Sequence, residues 1–223
     1  MSETPLFIIR IPTTNLDVSV PYFKSQGFTA IEAEESINTV WIKKGDLIFS
    51  LCECAAEHPM LVTYWQNPDK FLNKIDSLGI VCNFAADFMG NHFEAIFTDP
   101  AGFGIVAADA KDLPEKITSS DYSSLYELAI PSVPQFADSI NFWNTLGFSP
   151  VPDIPRPHPW SRMEMGNLTI GIHQSQDWLN PSLVFENDSP INNEIEITRD
   201  LKNCGTAHIS ETCDHLLIYR ICK

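Results

Sequence analysis

A chain of 223 residues, 44% of them apolar, is long enough for one large domain or two small ones, and it can bury about 70% of the surface its unfolded form exposes. A net charge of −15 excludes nucleic acid as a partner, because phosphate binding needs clustered Lys and Arg. No apolar run approaches the roughly 18 residues of a membrane span and the first residues form no basic leader, so a soluble cytoplasmic protein without a membrane partner is expected.

Residues 6–11 form a short apolar run between Pro5 and Pro12 and read as a buried strand. Asn15 can cap a helix in which Leu16, Val20 and Phe23 share a face and which Gly27 ends. Residues 28–32, 39–43 and 47–52 read as three strands, the last two joined by a turn at Lys44-Gly45-Asp46, which makes a βαβββ unit. The pattern restarts after an acidic break. Residues 60–66 are a strand, Asn67-Pro68-Asp69 starts a helix that Gly79 stops, and strands follow at 80–84, 92–98 and 103–108, with Asp99-Pro100-Ala101-Gly102 as the last turn.

Residues 111–124 are polar and read as a linker, which places one domain at 1–115 and a second at 116–223. Residues 125–130 open the third unit, whose proline-rich segment 150–159 must be a loop. The fourth begins at Leu183, with a helix expected over 191–203 and strands at 206–210 and 215–221, so either a strand is missing or the helix is shorter than that. The halves repeat. Ser19 matches Ser139, Tyr22-Phe23 matches Phe142-Trp143, and Gly27-Phe28 matches Gly147-Phe148, which makes the chain a tandem.

A βαβββ unit carrying Asn15-Leu16-Asp17, Ser19, Tyr22-Phe23 and Gly27-Phe28, followed by one with Asp99-Pro100-Ala101-Gly102-Phe103, resembles the vicinal oxygen chelate superfamily of glyoxalase I, extradiol dioxygenases and bleomycin-resistance proteins. The resemblance covers residues 6–108 well, 125–173 moderately and the rest weakly. It implies an α+β fold of tandem βαβββ modules, with two curved mixed sheets, helices on the convex face and ligands on the concave face. Metal-dependent members place a His on the first strand of a unit and a Glu on the last. Ile8 and Val106 fall at those positions, and the strand position in the second unit falls near Met60, with His58 just upstream, so no metal ligand is assigned to the first half.

In the second half, strand alternation sets Phe7, Ile9 and Ile11 against Tyr126, Leu128 and Ile130 as the helix-facing residues. Glu127 then matches Ile8, and Gly171 and His173 match Ser50 and Cys52. Glu127 and His173 are therefore the candidate catalytic residues, as a general acid and base or as two metal ligands; otherwise they are a simple hydrogen-bonded pair or lie at the solvent-exposed rim. Tyr219 and Arg220 are the polar candidates on the last strand. Arg10 on a core strand suggests a hold on an anionic or carbonyl group, and with Trp41, Phe49, Ser50, Trp65, Phe97 and Arg162 it completes the ligand-binding candidates. Phe93 is a further possible cup residue. The six cysteines are read as reduced thiols, with Cys52 a weak candidate nucleophile and no zinc-site spacing.

The expected function is that of the metal-free, bleomycin-resistance-like branch: sequestration of a cationic or aromatic small molecule without a cofactor, by a homodimer or by a monomer whose halves form the pair. The alternative is a glyoxalase-like lyase or isomerase, or a dioxygenase, with a metal or acid–base site in the second half.

Overall fold

The computed structural model describes residues 5–31, 38–86, 93–152, 158–175, 180–186, 197–201, 205–211 and 216–222, with side chains for all of these except 84–86, 93, 186, 197–201, 205–211 and 217–222. Contacts divide the chain into two compact units, Met1–Thr98 with Gly104–Ser120 and Asp99–Phe103 with Asp121–Lys223. The first holds β1 (Leu6–Thr13), α1 (Leu16–Ser25), β2 (Thr29–Ile31), β3 (Thr39–Lys44), β4 (Leu47–Glu53), β5 (Met60–Trp65), α2 (Pro68–Ser77), β6 (Asn83–Ala86), β7 (Phe93–Thr98) and β8 (Gly104–Asp109). The second holds β9 (Leu125–Pro131), α3 (Phe136–Leu146), β10 (Ser149–Val151), β11 (Trp160–Met165), β12 (Leu168–His173), β13 (Ser182–Glu186), β14 (Ile197–Leu201), β15 (Gly205–Glu211) and β16 (Leu217–Cys222).

Each unit has one eight-stranded mixed sheet. The orders are β2-β3-β4-β1-β5-β8-β7-β6 and β10-β11-β12-β9-β13-β16-β15-β14, which are the same permutation, so the sequence repeat is also a repeat of topology. In each sheet the two modules meet at an antiparallel pair of first strands, β1 with β5 and β9 with β13.

The matched residues make matched bonds. Thr13 Oγ1 and Ser19 Oγ lie 2.6 Å apart, and Ser132 Oγ donates to Ser139 Oγ at 2.8 Å, so a buried hydroxyl pair ties the end of the first strand to the helix in both units. Gly27 and Gly147 have φ of 87° and 115°, a conformation that costs other residues a steric clash at Cβ. The turn lets Phe28 N–H donate to Phe23 O and Phe148 N–H to Trp143 O, both at 3.0 Å. It also folds Phe28 and Phe148 edge-on against Phe23 and Trp143. Asn15 caps α1 by accepting from Asp17 N–H at 2.8 Å, and Asn67 caps α2 by accepting from Lys70 N–H at 3.2 Å.

Three elements differ from expectation. The proline-rich segment 150–159, expected as a loop, begins in β10, where Pro150 is opposite Met163 and Val151 opposite Arg162, because an edge strand tolerates proline's missing N–H. The strand expected from Ile80 begins at Asn83, because Ile80 N–H is spent on Ile75 O at 3.3 Å in the helix-terminating turn. Within the helix expected over 191–203, Ile197–Leu201 is a strand that pairs antiparallel with β15, and a ladder partner outweighs a short apolar periodicity. The fourth module thus has three strands after β13; the rest of the expected helix, 191–196 and 202–203, lies outside the described residues. Among the described residues no helix is long and apolar enough to cross a membrane.

Candidate functional site

Register locates the positions at which ligands would converge. Ile8 stands opposite Val62, and Val62 opposite Val106, so a row of three aliphatic residues crosses the middle of the first sheet. Val62, and not Met60, is therefore the second-module counterpart of Ile8, and His58 is exposed upstream of that strand. This face carries an apolar cluster of Ile8, Val62, Val106, Trp41, Tyr64 and Ile117, with Leu113 and Met60 packed against it. Trp41 leans on Tyr64 at a ring separation of 6.4 Å. Apolar side chains thus occupy the middle of this face.

Arg10 lies in the next row along β1 on the same face, paired in register with Ser50 and Met60. Its guanidinium makes a two-point bond to Glu94, Nη2 to Oε1 at 2.6 Å and Nη1 to Oε2 at 3.2 Å, with the side chains 13% and 10% exposed. Burial opposes the charge on Arg10, but the hydrogen bonds and charge of Glu94 outweigh it and hold the guanidinium above its usual range. Ser50 Oγ and Arg10 Nε are buried without a hydrogen-bond partner. Burial raises the Tyr64 hydroxyl to about 12.

The other binding candidates lie on the helix side of the sheet. Phe49 packs on Phe28 beneath α1, while Trp65 stacks on Phe71 of α2 at 4.2 Å and Phe97 meets the same ring at 6.2 Å. The structure thus brings Arg10, Trp41 and Ser50 to one face and places Phe49, Trp65 and Phe97 on the other; the side chain of Phe93 is outside the described set. A cavity of about 390 Å³ in the first unit, lined by residues such as Ile31, Lys43, Ile48 and Lys116, includes none of these candidates.

The second unit is different. Its row, by register, is Glu127 on β9, Val184 on β13 and Tyr219 on β16. Glu127 and His173 are both fully buried and meet, Oε1 to Nε2 at 3.0 Å. The other ring nitrogen of His173, Nδ1, is 3.0 Å from Nε2 of His158, which is half-buried at the end of the proline-rich segment. Trp160, opposite His173 in register, stacks on its ring at 5.6 Å and 19°. A carboxylate and two imidazoles form one hydrogen-bonded chain, covered on one side by indole and leading from a dry interior toward the surface.

Gly171 makes room for this contact. A Cβ there would come within 2.7 Å of His173 Nε2 and closer still to the Glu127 carboxyl. The matching place in the first unit holds Ser50, and the residue there that corresponds to Glu127 is the aliphatic Ile8. Gly171→Ala should therefore part Glu127 from His173 and lower stability by about 1–3 kcal/mol through overpacking and buried groups left unbonded. Urea unfolding of the variant measures this, and an unchanged midpoint would show that the pair can shift without loss.

Arg162 is opposite Gly171 in register but turns away, its Cζ 4.9 Å over the Tyr126 ring and Nη2 3.5 Å from Glu164. Alternation had set Tyr126 on the helix side. The β9–β13 pairing slips between Val184 and Phe185, opposite this residue, and frees the ring to meet Arg162. Sequence reasoning missed Glu94, His158 and Trp160. Glu94 could have been found as the lone carboxylate in an apolar strand facing a buried Arg, and Trp160 from its register with His173. His158 gave no signal beyond lying two residues before that strand.

A metal site of the family's kind needs several N and O donors turned to one point. Here Val184 occupies the middle of the row, and His173 directs its two nitrogens at Glu127 and His158. Among the described residues no group of three His, Cys, Asp or Glu is arranged to hold an ion. The side chains of Tyr219 and Arg220 lie outside the described set. The described residues do not fit the metal.

No family model matches the chain, and no curated protein does. Solved structures do. A catechol 2,3-dioxygenase superposes with a TM-score of 0.64 at 12% identity, covering 97% of this chain and 87% of its own. The Mn(II)-bound glyoxalase from Novosphingobium aromaticivorans gives 0.62 at 13%, covering 99% and 82%. The 2,2',3-trihydroxybiphenyl 1,2-dioxygenase from Sphingomonas wittichii strain RW1 gives 0.61 at 11%, covering 98% and 89%. The chain has the vicinal oxygen chelate fold, as two mixed sheets with few helices. The expectation of a metal-free sequestering protein of the bleomycin-resistance branch is corrected by these likenesses, which are to dioxygenases and a glyoxalase. The apolar middle of the first unit's face gives the physical reason, since an aromatic-lined groove was expected there and Trp41 instead belongs to the core.

Proposed function

We propose, with the vicinal oxygen chelate fold as the premise, that the second unit is the reacting half of a glyoxalase-like lyase or isomerase that moves a proton at a carbon beside a carbonyl group. The observation that carries this reading is the chain from Glu127 through His173 to His158, with 3.0 Å at each step. An ionised carboxylate only accepts, so His173 donates from Nε2 and its Nδ1 accepts from the Nε2–H of His158. This tautomer leaves the lone pair of His158 on Nδ1, and as the half-buried member of the chain His158 is the group assigned to take the substrate proton. When His158 takes that proton, the positive charge is spread toward His173 and neutralised by Glu127, in the way a buried carboxylate supports a catalytic imidazole. Trp160 keeps water from the middle of the chain. The dioxygenase form of the reading asks for donors turned to one ion, and these three groups are turned to one another.

The test is exchange of carbon-bound hydrogen for solvent deuterium in a panel of small α-hydroxy and α-keto carbonyl compounds, followed by NMR with a chelator present. Exchange that survives the chelator and is lost in His158→Ala is expected. Exchange that the chelator abolishes and Mn(II) restores would replace the proton relay with a metal centre, and no exchange with any compound would end the enzymatic reading.

A further inference from the structure

We infer that Cys52 and Cys54 of the first unit form a peroxide-reactive dithiol that closes to a disulfide, a modification site independent of the second unit's acid–base chain. Two residues apart on one extended segment, the two side chains leave the sheet on the same face. Cys52 lies within β4, where the ladder holds it between Pro12 and Thr39. Cys54 lies one residue beyond the end of that strand, in a bend, so its backbone is not fixed by pairing. Both are half-buried free thiols. Two strand residues of rise put their Cα atoms about 6.6 Å apart, at the upper edge of the span a disulfide bridges, and a bend shortens it.

The surroundings divide the labour between the two sulfurs. A hydrogen bond from Cys52, opposed by burial and helped by the backbone at Ala56 and the charge of Arg10, brings the Cys54 thiol down to about 6. Glu94 acts against this, but its carboxylate is spent on Arg10. The Cys52 thiol is pushed up, first by its bond to Cys54 and then by burial, with Arg10 and Thr39 opposing. The surroundings thus favour the thiolate on the Cys54 sulfur and the proton on the Cys52 sulfur. A thiolate with a neighbouring thiol is the arrangement that hydroperoxides oxidise and that then resolves itself. The third described cysteine, Cys82, has its thiol raised by burial and among the described residues has no thiol partner.

The chemistry balances with a hydroperoxide as the oxidant. The Cys54 thiolate attacks the distal oxygen, the O–O bond breaks, and the leaving alkoxide or hydroxide takes a proton from water. Cys54 is now a sulfenic acid. The Cys52 sulfur attacks the Cys54 sulfur, the S–O bond breaks, and the hydroxide leaves as water with the Cys52 proton. Two thiols have lost two electrons to one peroxide.

Hydrogen peroxide added to the intact chain at neutral pH, followed by alkylation, trypsin and mass spectrometry, tests this. One tryptic peptide, residues 45–70, contains Cys52 and Cys54 and no other cysteine. It should become lighter by two hydrogens about tenfold faster than the Cys82 peptide is oxidised. In Cys52→Ser, dimedone should trap a sulfenic acid on Cys54, and in Cys54→Ser oxidation at Cys52 should slow to the rate of Cys82. The inference is overturned if the 45–70 peptide keeps both thiols while Cys82 oxidises, or if dimedone traps a sulfenic acid on Cys52 in Cys54→Ser faster than on Cys54 in Cys52→Ser. Because the first arm uses the unsubstituted protein, a variant that fails to fold does not spoil the test.

Discussion

Glu127→Gln is expected to lower the proton-exchange rate by about 10²–10⁴-fold while leaving the fold in place, the range over which general acid–base groups contribute. Glutamine has nearly the volume of glutamate, so the packing around a side chain that is 0% exposed is kept. What changes is the direction of the hydrogen bonds. An amide can offer its N–H₂ to His173 Nε2, and His173 then carries its proton on Nδ1 and donates to His158 Nε2. The proton of His158 moves to its Nδ1, which no longer has a lone pair for substrate. The loss of the carboxylate charge adds to this, because a protonated His158 would have no anion behind it. A readout independent of any substrate is the tautomer of His173 by ¹⁵N NMR, which should be Nε2–H in the unsubstituted protein and Nδ1–H in Glu127→Gln. The same tautomer in both would mean that Glu127 does not set the polarity of the chain, and the relay would fail with it.

That chain was only half legible in the sequence. Alternation along two short strands was enough to put Glu127 and His173 on one face, because a period of two is rigid and the repeat supplied the register. It was not enough to find His158, which precedes its strand in a proline-rich segment where no periodicity operates. The fold was more legible than the site. Asn15, Gly27 and their repeat carry local geometry that follows from capping and positive φ, whereas the aromatic candidates were assigned to a cup by residue type. Phe49, Trp65 and Phe97 pack under α1 and α2 instead, since an aromatic beside a helix buries as much apolar area as one in a cavity. Arg10 was noticed as a charge out of place, but its partner Glu94 is 84 residues away and no local pattern connects them. The helix expected over 191–203 failed because a five-residue strand and a piece of helix carry the same apolar count, and only β15 beside it decides.

The Arg10–Glu94 pair should give the largest stability effect in the first unit. Removing one member of a buried ion pair leaves a desolvated charge without compensation, typically about 3–5 kcal/mol, and at 13% and 10% exposure solvent can offset little of that. Glu94→Leu is expected to show this loss in full, because the guanidinium would stay among Tyr64, Met60 and Ser50 with no acceptor of its charge. Replacing both residues, Arg10→Met with Glu94→Leu, should recover most of it, as apolar pairs of similar volume often match or exceed the ion pairs they replace. Hydrogen exchange at the amides of β1, β5 and β8 is the suitable measurement, since it reports on this unit alone and does not require the whole chain to unfold in one step. The single substitution should raise exchange there by about two to four orders of magnitude, following the free-energy loss at 1.36 kcal/mol per tenfold, and the double should return it to near the original rate. A single substitution that changes exchange less than about fivefold would place the pair among solvent-screened bridges and remove the reason for burying an arginine on this strand. The two results together separate a charge held for binding from one held by its partner: if Glu94 is what holds Arg10, the double variant folds as well as the parent, and the second unit's chemistry proceeds unchanged.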